Sequence, residues 1–119
     1  MDAETLDRWV QAYRKAWESN DPEEIGALFT EHATYYTEPF RHGIKGRQAI
    51  VDDWIERKDE PGDTEFRYEI KGVCDDIGFV RGWAKYFTPP PREYSNLWEV
   101  RLAGDGRCSE FTEWWMKHR

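Results

Sequence analysis

The sequence predicts an α+β fold, with three helices in the first half packed on an antiparallel sheet built from the second. Three observations predict it. Apolar residues in the first half recur at three- and four-residue steps, while the second half alternates apolar and polar residues one by one. Short turns join these stretches, with no repeat, linker or low-complexity segment between them. At 119 residues the chain is expected to form one domain, residues 1–119.

The first helix is marked by Leu6, Trp9, Val10, Tyr13, Ala16 and Trp17, which fall on a single stripe. Asn20-Asp21-Pro22 ends it and starts another, because Asp21 can cap free N–H groups and Pro22 needs no donor at a first helical position. Glu23 and Glu24 suit the positive end of the helix dipole, and Ile25, Leu28 and Phe29 supply the apolar side. "ATYYTEPF", Ala33 to Phe40, is rich in strand formers and closes at Pro39. "HGIKG" turns the chain into a third helix, Arg47 to Lys58, with Ile50, Val51, Trp54 and Ile55 on one side, and "DEPGD" follows it.

From there the pattern is strand after strand. "TEFRYEIKGV" places Phe66, Tyr68 and Ile70 on one face and Glu65, Arg67, Glu69 and Lys71 on the other. "IGFVRGWAKYF" follows a tight turn at Asp75-Asp76, and "TPPPRE", Thr88 to Glu93, reads as a rigid connection. "YSNLWEVRL" and "RCSEFTEWW" flank the hairpin turn "AGDG".

Composition narrows the function. Lys and Arg number 17 against 24 Asp and Glu, a net charge of −7, and no basic run appears, so nucleic acid is not an expected partner. His32, His42 and His118 are scattered and Cys74 and Cys108 lack CxxC spacing, so neither a metal site nor a disulfide is expected. No stretch approaches the ~20 apolar residues of a membrane span, and Met1 leads directly into an amphipathic segment. The expectation is a cytoplasmic protein with reduced cysteines and no membrane partner. Seven Trp, six Tyr and six Phe can fill a small core or line a hollow.

The stretch "DGRCSEFTEWWM", Asp105 to Met116, bears on which of these it is. As a strand it groups Phe111, Glu113 and Trp115 on one face and Glu110, Thr112 and Trp114 on the other. Either register sets an acid beside bulky aromatics, which suits a pocket better than a plain core. Sequence leaves the two registers open.

"AWESNDPEEIGALFTEHATYY", "GIKGRQAIVDDW" and "DGRCSEFTEWWM" resemble, in this order, the SnoaL-like branch of the nuclear transport factor 2-like superfamily. The resemblance covers nearly the whole chain. It implies a cystatin-like α+β roll: a long helix and two shorter ones on a strongly curved antiparallel sheet, enclosing a cone-shaped cavity and pairing into a homodimer through the sheet. Members include ketosteroid isomerases, polyketide cyclases, dehydratases and epoxide hydrolases, and others that only bind ligands or proteins. The family alone therefore does not assign an activity.

Against the isomerases, Tyr13 stands where the oxyanion-binding tyrosine would be, although an aromatic there also suits the apolar stripe. Glu38, before Pro39, matches the acid-before-proline base, with one extra residue upstream that can reverse its face. Trp98 takes the place of the second acid, so steroid isomerisation is not expected. The comparison turns Phe111, Glu113 and Trp115 into the cone, with Asn96 and Trp98 and with Arg81, Trp83 and Lys85 from neighbouring strands. Trp17, Tyr35 and Trp54 join them as walls. Glu113 would then reach Arg81 or Lys85, in a pocket or as a surface ion pair. The implied function is binding of a small organic molecule, without metal or cofactor, by an isomerase, cyclase, dehydratase or hydrolase. Tyr13, Glu38 and Glu113 are its candidate catalytic residues. A non-catalytic ligand- or protein-binding dimer and a simply filled core are the alternatives.

Overall fold

The computed structural model describes residues 1–119. Helix α1 spans Ala3–Ser19 and buries Leu6, Trp9, Val10, Tyr13 and Ala16, the expected stripe. Asp2 caps its start by accepting from the Thr5 N–H at 2.8 Å. Asn20 ends it in the left-handed region, φ 53°, with its N–H donating to the Ala16 carbonyl. Asp21 caps α2, Pro22–Gly26, and Pro22 sits at its start. Strand β1 spans Phe29–Tyr36, so Phe29 belongs to the strand rather than to the preceding helix. The two-residue strand β2, Ile44–Lys45, pairs with it inside the segment expected to be only a turn. Helix α3 spans Arg47–Glu56.

Four strands complete the chain: β3 Thr64–Cys74, β4 Ile77–Tyr86, β5 Arg92–Leu102 and β6 Cys108–Lys117. They join β1 and β2 in a six-stranded sheet ordered β2-β1-β6-β5-β4-β3. All neighbours are antiparallel except β1 and β6, which run parallel and make the sheet mixed. Parallel neighbours need a long crossover, and here most of the chain lies between them. Arg92 and Glu93, expected in the rigid connection, already belong to β5.

The helices cover one face of the sheet, here the inner face. A continuous core joins Leu6, Val10 and Tyr13 of α1 and Ile50 of α3 to Val80, Trp98, Val100 and Phe111 of the sheet. On β4 the buried residues are small: Gly78, Val80, Gly82 and Ala84. A Cβ on Gly78 would lie 2.4 Å from the Leu6 side chain, and one on Gly82 2.7 Å from Phe66. Those two positions admit only glycine, because larger side chains from α1 and β3 already occupy the space.

A bulge sets the register of β6. Val100 pairs with Phe111 and Arg101 with Glu110, but Leu102 pairs with Cys108, leaving Ser109 as the extra residue. Cys108 and Phe111 can therefore both be buried although they are an odd number of residues apart. The bulge turns Phe111 and Glu113 inward and leaves Glu110 exposed, which closes the choice of register.

Candidate functional site

A pocket of about 150 Å³ opens between the helices and the inner sheet face. Each strand contributes alternate residues to it. Asn96 and Trp98 come from β5 and Glu113 from β6, while Tyr35 of β1 and Phe66 of β3 close the sides. Tyr13 and Trp17 descend from α1, four residues and one turn apart. Ile50, Asp53 and Trp54 share one face of α3, which ends at Glu56, two residues short of the expected Lys58; Arg57, the residue that caps its C-terminal end, continues that face.

Tyr13 is the centre of the aromatic packing. Its ring lies 4.6 Å from Trp98, 4.9 Å from Trp54 and 5.8 Å from Phe111, centroid to centroid. Phe111 itself is fully buried and stacks on Tyr35 at 4.6 Å, so it supports the wall from behind. The Tyr13 and Tyr35 hydroxyls share a hydrogen bond at 2.9 Å. Burial raises both phenol pKa values well above the usual range; Tyr35 and the charge of Glu113 add to the shift of Tyr13, and Glu113 adds to that of Tyr35, whose hydrogen bond with Tyr13 pulls the other way. Both are neutral donors near neutral pH.

Glu113 is the carboxyl of this site. As a whole residue it is partly buried, but burial is the dominant influence on its carboxyl and pushes its pKa up to about 7. Two groups pull the other way. Trp98 Nε1 donates to Oε2 at 2.8 Å, and the Arg57 guanidinium favours the ionised form. Arg57 in turn is held by Asp53, Nε to Oδ2 at 3.0 Å. Trp17 Nε1 donates to Asp59 at 2.9 Å and Trp54 Nε1 to Asn20 at 3.3 Å, so both wall tryptophans are anchored at their polar ends.

Tyr13, Trp17, Tyr35, Trp54, Asn96, Trp98 and Glu113 are thus brought together as expected. Five other candidates lie elsewhere. Arg81, Trp83 and Lys85 point to the outer face, because β4 turns its glycines, Val80 and Ala84 inward. There Arg67 and Arg81 pack over the Trp83 ring at 4.2 and 3.9 Å, and Lys85 pairs with Glu93 at 3.4 Å. Arg81 faces Leu97 across the ladder, not Glu113. Glu38 follows the end of β1, accepts from Arg41 Nε at 2.9 Å and borders a groove on the outer face. Trp115 also misses the pocket; it lies past its edge, half exposed, against Tyr94.

Arg57, Lys58, Asp59 and Tyr86 line the pocket without having been singled out from sequence, and so does Asp53, which the sequence places with Asp52 on the exposed face of the third helix. For Asp53 and Arg57 a signal existed, since their four-residue spacing puts them on the Trp54 side of α3. Tyr86 gave none, because its face depends on the inward choice of β4. The polar lining of the pocket is the carboxyls of Asp53, Asp59 and Glu113, the phenols of Tyr13, Tyr35 and Tyr86, the Arg57 guanidinium, the Lys58 ammonium and the Asn96 carboxamide, in an aromatic enclosure. No group of three or more His, Cys, Asp or Glu is placed to hold a metal ion. No helix is long and apolar enough to cross a membrane.

Comparison with known proteins gives the same fold. The family model of the SnoaL-like domain matches residues 10–111, and the chain belongs to that family. No curated protein sequence matches the chain. Among solved structures it is similar to an NTF-2-like protein of unknown function from Burkholderia xenovorans LB400, at 15% identity and a TM-score of 0.77, covering 100% of this chain and 88% of that one. It is also similar to the epoxide hydrolase/cyclase-like enzyme SalBIII of pyran ring formation in the polyether salinomycin, with 15% identity, a TM-score of 0.75 and coverage of 95% and 91%. A third is an LEH-like epoxide hydrolase of M. tuberculosis, with 15% identity, a TM-score of 0.73 and coverage of 97% and 84%. At these identities the likeness is one of fold.

Proposed function

We propose that residues 1–119 act as a single SnoaL-like unit that binds a small organic molecule and moves a proton on it without a cofactor. The observation that carries this reading is Glu113, a carboxyl at about pKa 7 inside an aromatic pocket. A group titrating near neutrality is present as both acid and base, the condition under which general acid–base transfer works best. The Trp98 indole holds Oε2 and leaves Oε1 to meet the ligand. Of the paired Tyr13 and Tyr35 hydroxyls, one donates to the other and the second retains its proton for an oxygen on which charge develops. The tryptophan walls limit water and strengthen these contacts.

The pocket volume limits the ligand. About 150 Å³ is the size of an apolar cavity that holds one benzene ring and lies below the ~300 Å³ at which drug-sized sites begin. A steroid is too large, which agrees with Trp98 standing in place of the second acid. Hydrolysis or cyclisation at an epoxide and isomerisation beside a carbonyl all need an acid or base and a hydrogen-bond donor. Two of the structural neighbours are described as epoxide hydrolase or epoxide hydrolase/cyclase-like, which supports the first of these.

The partner we propose at the outer sheet face is a second copy of the chain. Leu97, Trp114 and Met116 are exposed there beside Phe40, around an apolar groove. The function itself is tested by carbon-detected NMR titration of the glutamate carboxyls, with Glu113→Gln for assignment. Glu113 is expected to titrate near 7. A midpoint at the ordinary 4.5 rejects proton transfer by this residue.

A further inference from the structure

Most polar side chains of the pocket are already bonded to another part of the protein. Tyr13 and Tyr35 bond to each other, Trp17 to Asp59, Trp54 to Asn20, Trp98 to Glu113 and Arg57 to Asp53. Among the phenols Tyr86 is the exception. It is partly buried and lines the pocket, and its hydroxyl makes no hydrogen bond within the protein. Nor is that hydroxyl sealed, since the buried side-chain atoms left without a partner are Thr64 Oγ1 and Asn96 Oδ1. The Tyr86 oxygen is therefore both unbonded and open.

Tyr86 is the last residue of β4, on the inner face with Gly82 and Ala84. Its ring is fixed while its hydroxyl is free. The Tyr94 ring meets it edge-on at 5.6 Å, and the Arg92 guanidinium lies over it at 4.7 Å. Arg92 is held in turn by the carbonyls of Thr88 and Pro90, each at 3.3 Å. Burial, and after it the charges of Asp59 and Glu113, raises the pKa of the phenol above its ordinary value, so the hydroxyl keeps a proton to donate. Both acids line the same pocket, and the hydroxyl shares that space with the Glu113 carboxyl.

We propose that Tyr86 orients the ligand by donating a hydrogen bond to an oxygen on it. The ligand is then a molecule of single-ring size bearing a carbonyl or ether oxygen, with its reacting position turned toward Glu113. This rests on the reading of the pocket as a proton-transfer site and adds the group that is recognised. A donor held in place selects by what the ligand lacks: one without an acceptor strips the hydroxyl of water and returns nothing.

Cyclohexanone and methylenecyclohexane are the probes, equal in heavy atoms and different in the acceptor. Cyclohexanone is expected to bind at least about fivefold more tightly, the factor one hydrogen bond supplies. In Tyr86→Phe, which keeps the ring against Tyr94 and Arg92, that preference should fall below about twofold, with methylenecyclohexane binding retained. In the wild type, cyclohexanone and not methylenecyclohexane should shift the Tyr86 Cζ resonance in ¹³C NMR. That measurement needs no variant, and a phenol kept only for packing would not respond. Equal affinity for the two probes, a preference that survives in Tyr86→Phe, an unmoved Cζ resonance, or no binding of either overturns the assignment. The Glu113 titration in the same samples reports separately on proton transfer. A midpoint near 7 with no ketone preference removes the role of Tyr86 alone, and an ordinary midpoint removes the parent reading.

Discussion

Strands β5 and β6 carry the same pair of side chains twice. On the inner face Trp98 donates to Glu113, and on the outer face Trp114 donates to Glu99. Donor, acceptor and sequence separation are alike; the surroundings are not. Trp98 is 2% exposed beneath the helices, whereas Trp114 is 48% exposed. An indole in water adds little to a carboxylate that is already hydrated. Beneath the helices the carboxylate has lost most of its water, and the single indole bond cannot replace it, so Glu113 holds its proton to about pH 7. The chemistry at this site comes from what covers the pair rather than from the pair.

The sharpest way to break that comparison is to truncate each tryptophan. Trp98→Ala should cost about 3–5 kcal/mol of stability in denaturant titration, because it leaves a cavity at the centre of the aromatic packing. Trp114→Ala should cost less than about 1 kcal/mol in dilute solution. Its effect should appear in sedimentation, as weakened self-association. Equal losses from the two would mean that the faces are energetically equivalent.

The next effect is a dependence on pH. Glu113 titrates at about 4.5 when unfolded and about 7 when folded, so between those values the unfolded chain has released a proton that the folded chain keeps. Its contribution to stability is complete below pH 4.5, falls as pH rises toward 7 and is constant above that. The total is on the order of 3 kcal/mol. Glu113→Gln should flatten this part of the profile, and Glu99→Gln should leave it in place.

The smallest expected effect belongs to the acid outside the pocket. Glu38→Gln removes an ion pair with a largely exposed arginine and should change stability by less than about 1 kcal/mol. It should leave the Glu113 titration where it was. A shifted Glu113 midpoint in that variant would show that the two faces communicate.

Much of the pocket was legible because it lies on elements with a clear period. Tyr13 and Trp17 follow from the α1 stripe and Trp54 from α3, while the inward face of Asn96 and Trp98 on β5 came from the family comparison. The family resemblance supplied the order of these elements and the expectation of a hollow. Arg81, Trp83 and Lys85 went wrong because the comparison with the isomerases did not fix which face of β4 is inner. The space was filled from the opposite side, and β4 had to offer its glycines. Glu38 went wrong because β1 ends at Tyr36, two residues before it, and the chain there bends so that Glu38 pairs with Arg41.

What the sequence determined by itself is local. Helix caps at Asp2 and Asp21, the apolar stripe of α1 and the alternation of β3 need no knowledge of the rest of the chain, since each depends on neighbours within a turn or a pleat. Which face of a strand is inner, and whether an acid is dry, was decided only by the tertiary structure. Ser109 is extra because Cys108 and Phe111 must both reach the core, and Gly82 is inner because Phe66 needs its volume. Glu113 is a neutral-range acid because helices from the far end of the chain exclude its water. Each of these is a competition between distant segments for the same volume, and no single segment records the outcome.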